Sequence, residues 1–105
     1  MPFSSELMPM AYREYKAYRK PIQRSDGTWF SSDLFCAAFL VARGNEIIGI
    51  EPTNQGGRWA FAIEPHDGFD DDLRAWSSNS PMGIRDFLDS VYRLKAMMRE
   101  VEAGR

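Results

Sequence analysis

One stretch of the chain, LFCAAFLVA at residues 34–42, is apolar at every position. A helix that is hydrophobic on all sides must be buried, so this stretch should form the central core helix of the fold. Ser31 or Ser32 can cap the start of that helix, and Gly44 follows its end. We therefore expect a buried helix over about residues 32–43.

Strand patterns lie on both sides of this helix. Before it, extended segments near residues 21–24 and 28–30 are separated by Asp26-Gly27, a strong signal for a hairpin turn. After it, NEIIGIEP (45–52) and RWAFAIEP (58–65) are typical strands, with TNQGG as their loop. These four segments predict a small antiparallel sheet of three to four strands.

Strict alternation along the strand within 45–52 places Ile48 and Ile50 on one face and Ile47 and Gly49 on the other.

Two more helices are predicted after the sheet. HDGFDDDLRAWSSNS (66–80) should hold a short helix whose first turn carries three aspartates, and Ser80 can cap a final helix with Pro81 near its first position. That final helix, over about 81–103, has apolar residues at helical spacing. They are Ile84, Phe87, Leu88, Val91, Leu94, Met98 and Val101. The expected fold class is therefore α+β.

Length and composition favour one domain over residues 1–105, in which a helical arm (1–20) precedes an α+β body (21–105). The chain is 44% hydrophobic, but no apolar run approaches the length of about 18 residues that a membrane span needs. The N-terminus lacks the form of a signal peptide. We expect a cytoplasmic protein with no membrane partner. Cys36, the one cysteine, excludes an internal disulfide and is expected to be a buried, inert thiol.

The N-terminal arm differs from the body in charge. Residues 1–24 contain five basic and two acidic residues (+3), whereas residues 25–105 contain eight basic and thirteen acidic residues (−5), which together give the net charge of −2. Tyr12, Tyr15 and Tyr18 recur every three residues, as on one side of an amphipathic helix. A basic arm on an acidic body can bind a polyanion, or it can fold back on its own body.

Chemical motifs are scarce. His66 is the one histidine, and the turn EPHDG accounts for it without catalysis or metal binding. Asp67 and the three aspartates at 70–72 lack the spacing of a calcium-binding loop, and carboxylates in a first helical turn favour the helix dipole. No Ser/His/Asp set or dinucleotide fingerprint is present. We expect neither an enzyme nor a bound metal or cofactor.

The segment WFSSDLFCAAFLVARGNEIIGIEPTNQGGRWAFAIEP, followed by VYRLKAMM, resembles a family of small domains of unknown function from phages, plasmids and other mobile elements. The resemblance covers about residues 29–99. It rests on an aromatic at Phe30, a Ser-Ser-Asp cap, an apolar helix ending at Gly44, and the strands at 47–50 and 58–63. The resemblance implies a strand–helix–hairpin–helix domain in a mobile element and implies no catalytic residue.

Two functions remain open. The first is a non-enzymatic accessory protein of a mobile element that binds nucleic acid, most favourably single-stranded, because aromatic side chains can stack on any base. Its predicted binding residues are Tyr12, Arg13, Lys16, Arg19, Lys20, Arg24 and Trp29. The second is a protein-interaction module, either a homodimer or an inhibitor of a host or phage protein, without nucleic-acid binding. Its predicted dimer interface is Leu94, Met97, Met98 and Val101.

Overall fold

The structure, a computed structural model, describes residues 19–53 and 59–104. Four strands and three helices follow one another along this part of the chain. In chain order they are β1 (Ile22–Gln23), β2 (Trp29–Ser31), α1 (Leu34–Ala42), β3 (Glu46–Pro52), β4 (Trp59–Glu64), α2 (Phe69–Ser77) and α3 (Ile84–Ala103). The predicted α+β class is confirmed. The N-terminal arm up to residue 18 and the loop at 54–58 lie outside the described residues.

The four strands form one antiparallel sheet in the order β1-β2-β4-β3. The predicted hairpin joins β1 to β2. Gly27 has a φ of 89°, a left-handed conformation that glycine adopts without a steric penalty. The side chain of Asp26 accepts a hydrogen bond from the Thr28 amide (2.9 Å), which fixes the turn.

Strand β3 departs from the predicted alternation. A register shift lies between Ile47 and Gly49, so that Ile47 pairs with Ile63 while Gly49 pairs with Ala62. Ile47 and Ile50 therefore both pack against the core, whereas Ile48 is 57% exposed. The prediction that Ile48 and Ile50 share a face was wrong, because a β-bulge inserts one residue and reverses the alternation after it.

Helix α1 is the buried helix that the apolar run predicts, but its cap is different. Asp33 is the N-cap, and its Oδ1 accepts hydrogen bonds from the amides of Phe35 (2.9 Å) and Cys36 (3.3 Å). Ser31 instead ends strand β2, and its hydroxyl bonds to the backbone of Asp33. Cys36 is fully buried, and this burial raises the pKa of its thiol to about 12. The thiol is therefore protonated at neutral pH.

The final helix starts later than predicted because Ser80 belongs to the end of α2. The Ser80 amide donates to the carbonyl of Ala75 (2.9 Å), and Asn79 before it has a φ of 56°. Such a left-handed residue after the last turn is a common way to end a helix. Gly83 is the N-cap of α3 and offers no side-chain cap.

All three helices pack on the same face of the sheet. One cluster joins Phe39 of α1 and Phe69 of α2 to Ile63, and a second joins Val91 and Leu94 of α3 to Phe61. Within the described ranges, no helix has both the length and the apolar character needed to cross a bilayer.

Candidate functional site

The described members of the predicted nucleic-acid-binding set, Arg19, Lys20, Arg24 and Trp29, do not all lie in one cluster. Tyr12, Arg13 and Lys16 lie outside the described residues. Arg19 and Lys20 are exposed at the start of the described chain.

Arg24 is exposed as well, but its guanidinium is engaged. It lies 2.5 Å from a carboxylate oxygen of Glu51 and 3.5 Å from the centre of the Phe30 ring. These contacts hold Arg24 over the sheet, between Phe30 of β2 and Glu51 of the far edge strand β3, so it contributes less to any phosphate contact than its exposure suggests.

Trp29 is half-buried. Its ring meets Phe69 edge-on at 5.0 Å between centroids and packs against the core cluster of α1 and α2. The predicted stacking residue is therefore also a core residue.

The remaining part of Trp29 lines a groove of about 820 Å³ between the start of β1 and helix α2. Leu73 and Trp76 contribute apolar wall, and Lys20 and Arg74 contribute positive charge. We call this the tryptophan groove. Its described lining consists of Lys20, Pro21, Trp29, Leu73, Arg74, Trp76, Ser77 and Ser78.

At one wall of this groove, Trp76 binds the backbone segment that leads into β1. Its Nε1 donates to the carbonyl of Arg19 (3.2 Å), and its ring packs against Phe39 at 5.5 Å between centroids. Arg74, on the same helix, makes an exposed ion pair with Asp71. Sequence reasoning did not select Trp76 or Arg74, because their proximity to Trp29 depends on how α2 packs against β2.

Besides the tryptophan groove, the structure contains a network of polar side chains around Asp72, whose own side chain is almost fully buried. Its carboxylate accepts hydrogen bonds from Nε of Arg43 (2.5 Å), Nδ2 of Asn45 (2.8 Å) and Nε2 of His66 (2.6 Å). Burial raises the pKa of Asp72, but the three hydrogen bonds and the charge of Arg43 outweigh that effect. The pKa of Asp72 is therefore below its usual value.

In general-base sites, too, an aspartate orients a histidine. The other contacts of the network indicate whether His66 has a catalytic or a structural role. Asn45 ties the network to the backbone, since its Nδ2 also donates to the Leu40 carbonyl (2.8 Å) and its Oδ1 accepts from the His66 amide (3.1 Å). The network thus joins the end of α1, the exit of β4 and helix α2. These bonds favour a structural role for the network.

Within the described ranges, no group of three or more His, Cys, Asp or Glu side chains is placed to hold a metal ion. The sequence predicted that Asp72 lies in a first helical turn with its neighbours at 70 and 71, which the structure confirms, but it did not predict that Asp72 is buried. A signal for its burial was present, because Asp72 lies three residues from both Phe69 and Ala75 and so shares their buried face.

The predicted dimer residues lie on the core side of α3. Leu94 is fully buried between α1 and the sheet, which leaves it no surface for a second chain. Met97 and Met98 are half-buried and pack on the same cluster, and Val101 is half-buried. The apolar residues near the end of α3 are thus used mostly for packing within the chain.

Comparisons of this chain with protein-family models, curated proteins and solved structures found no match.

Proposed function

We propose that this protein binds single-stranded nucleic acid without catalysing a reaction, and that the tryptophan groove receives a base. The observation that supports this proposal is the convergence of Trp29, Trp76 and two cations, Lys20 and Arg74, on one groove. An aromatic wall offers a stacking surface to any base, and each stacked base contributes about 1–3 kcal/mol. The cations at the rim can contact the flanking phosphates.

The charge around the groove is compatible with contacts to a few phosphates of a nucleic acid. Arg19 and Lys20 are adjacent and exposed. The ion pair of Arg74 with Asp71 is exposed on both sides, and such pairs contribute only about 0–1 kcal/mol. A phosphate can therefore replace Asp71 at little cost. The acidic remainder of the chain disfavours long duplex contacts, whose strength grows with the number of neutralised phosphates.

The proposal is tested by titrating the protein into a fluorescent oligothymidine at several salt concentrations and following anisotropy. The Lys20→Ala/Arg74→Ala double variant should bind more weakly, and its plot of log affinity against log salt should be shallower by about 1.4, at about 0.7 per lost single-strand contact. An abasic oligonucleotide of equal length should bind more weakly than oligothymidine, because it keeps the phosphates but offers no base to stack.

Arg24→Ala is the control for the loss of a cation outside the groove. It removes one exposed cation that pairs with Glu51 and is not among the described residues lining the groove, so affinity should stay close to that of the unmodified protein. Absence of binding at low salt would refute the proposal. A loss of affinity in Arg24→Ala as large as in the double variant would refute the assignment to the tryptophan groove.

The mobile-element setting stays a prediction from the family resemblance. The rival function, a protein-interaction module, concerns a different surface on α3.

A further inference from the structure

Helix α3 exposes an apolar stripe that its own fold does not use. Ile84 is 74% exposed, Leu88 40% and Tyr92 63%. Residues four apart lie on successive turns of the same helix face, so these three form a line about 12 Å long at a rise of about 1.5 Å per residue. The core side of the helix borders the stripe: its fully buried residue Leu94 lies about 120° around the helix from Leu88. We call these three residues the α3 stripe.

The α3 stripe is complementary to itself. If a second copy of α3 lies antiparallel to the first, with a two-fold axis at Leu88, the two Leu88 side chains meet each other. Ile84 of each copy then meets Tyr92 of the other. A contact of this kind uses the same patch on both chains and closes at two subunits.

The charges beside the stripe fit the same arrangement. Arg85 and Asp89 are exposed, carry opposite charges and follow Ile84 and Leu88 directly, so both lie on one flank of the stripe. In an antiparallel pair of helices, residues on the same flank face each other, which brings Arg85 of each copy next to Asp89 of the other. The ion pairs among the described residues involve neither of them, so both are available for this contact.

Helix α1 adds apolar area on the other flank. Phe35 is 39% exposed, and its ring stacks on Phe87 of α3 at 6.2 Å between centroids. It thus widens the apolar surface near the N-terminal end of α3.

From these observations we infer that the protein forms a two-fold homodimer through the α3 stripe, with Leu88 at the axis. The inference is independent of the nucleic-acid proposal. Three stripe residues a side make a smaller contact than the ~1,200 Å² or more that stable interfaces bury, so we expect a weak dimer whose population depends on protein concentration.

Sedimentation equilibrium of the whole chain, from low to high micromolar concentration, tests the inference. The unmodified protein should approach twice the chain mass of 12.0 kDa as concentration rises. Tyr92→Glu should remain at the single-chain mass throughout, because it places two carboxylates in the apolar contact. Ile84→Lys, at a more exposed position, should do the same and serves if Tyr92→Glu fails to fold.

Arg24→Gln is the matched control, since it makes the same one-unit change in charge at an exposed residue that lies outside helix α3. It should leave the dimer intact. Charge reversal tests the register: Arg85→Asp and Asp89→Arg should each weaken the dimer, and the double variant should restore it.

A single-chain mass at the highest concentration, or an assembly larger than two chains, would overturn the inference. So would a dimer that survives both Tyr92→Glu and Ile84→Lys. Failure of the charge-reversed double variant to recover would overturn the axis at Leu88.

Discussion

The Asp72 carboxylate is buried, yet it is stabilised in its ionised form because Arg43, Asn45 and His66 donate hydrogen bonds to it. Each donor comes from a different part of the chain, so the bonds form only when α1, β4 and α2 are packed. Replacing Asp72 by a neutral side chain of the same shape should therefore weaken the packing of all three elements rather than one helix.

Asp72→Asn should lower the free energy of unfolding at neutral pH by about 1–3 kcal/mol, the usual cost of leaving buried hydrogen-bonding groups without a charged partner. Urea denaturation measures this loss. Asp71→Asn is the control, because Asp71 is exposed and pairs only with Arg74 on the surface. It should change stability by less than about 0.5 kcal/mol.

The pKa of Asp72 also predicts a pH dependence. Because its folded-state pKa is lowered from 3.8, its contribution to stability is complete above that value and is lost as the pH falls through 3.8 toward the lower folded-state pKa. Between pH 5 and pH 3 the unmodified protein should therefore lose more stability than Asp72→Asn. Parallel curves for the two proteins would contradict this account of the network.

Helix ends in this protein depend on neighbouring elements as well as on local preference. Asp33, Ser32 and Ser31 are all good N-cap residues, but Ser31 is already paired in β2 opposite Phe61. Ser80 could equally have capped α3, but its amide completes the end of α2. In both cases a second element decides which of several suitable residues becomes the cap.

Asp33→Ala should lower the stability by about 0.5–2 kcal/mol, because it removes the acceptor for two amides at the start of the central helix. Ser32→Ala is the matched control, since Ser32 is exposed and is not the cap. Thermal unfolding followed by circular dichroism measures both. Equal losses in the two variants would mean that Asp33 is not the cap in solution.

The whole molecule is a single layer of helices on a sheet, and α3 is attached to it by its inner side. Leu94 lies at the centre of this contact, fully buried with Phe61 and Val91. The outer side of α3 carries the exposed α3 stripe. Folding and the proposed self-association therefore use adjacent faces of one helix, and substitutions can separate them.

Leu94→Ala should destabilise the chain by about 2–5 kcal/mol through the cavity that it leaves in the core. Ile84→Ala, on the exposed side of the same helix, should cost less than about 0.5 kcal/mol when the protein is monomeric. Urea denaturation at low protein concentration, where the proposed dimer would be dissociated, makes the comparison. A small loss for Leu94→Ala would contradict its placement in the core.

The amino-acid sequence by itself determined the helices, the strands and the α+β class. Those features follow from local patterns: an apolar run of nine residues must be buried, Asp26-Gly27 favours a hairpin, and spacing of three and four predicts α3. Each of these signals acts between residues that are close in the chain, so each can be recognised without knowing the rest of the fold.

Only the tertiary structure decided which residues of these elements contact one another. It placed the bulge at Ile48, buried Asp72 beside Arg43, and put Trp76 next to Trp29 in one groove. These contacts join residues far apart in sequence, and their free energy depends on which surfaces meet. A sequence pattern reports the preference of one segment, whereas packing selects among several segments with equal preference. For this reason Leu94 lies in the core while Leu88 on the same helix is left exposed.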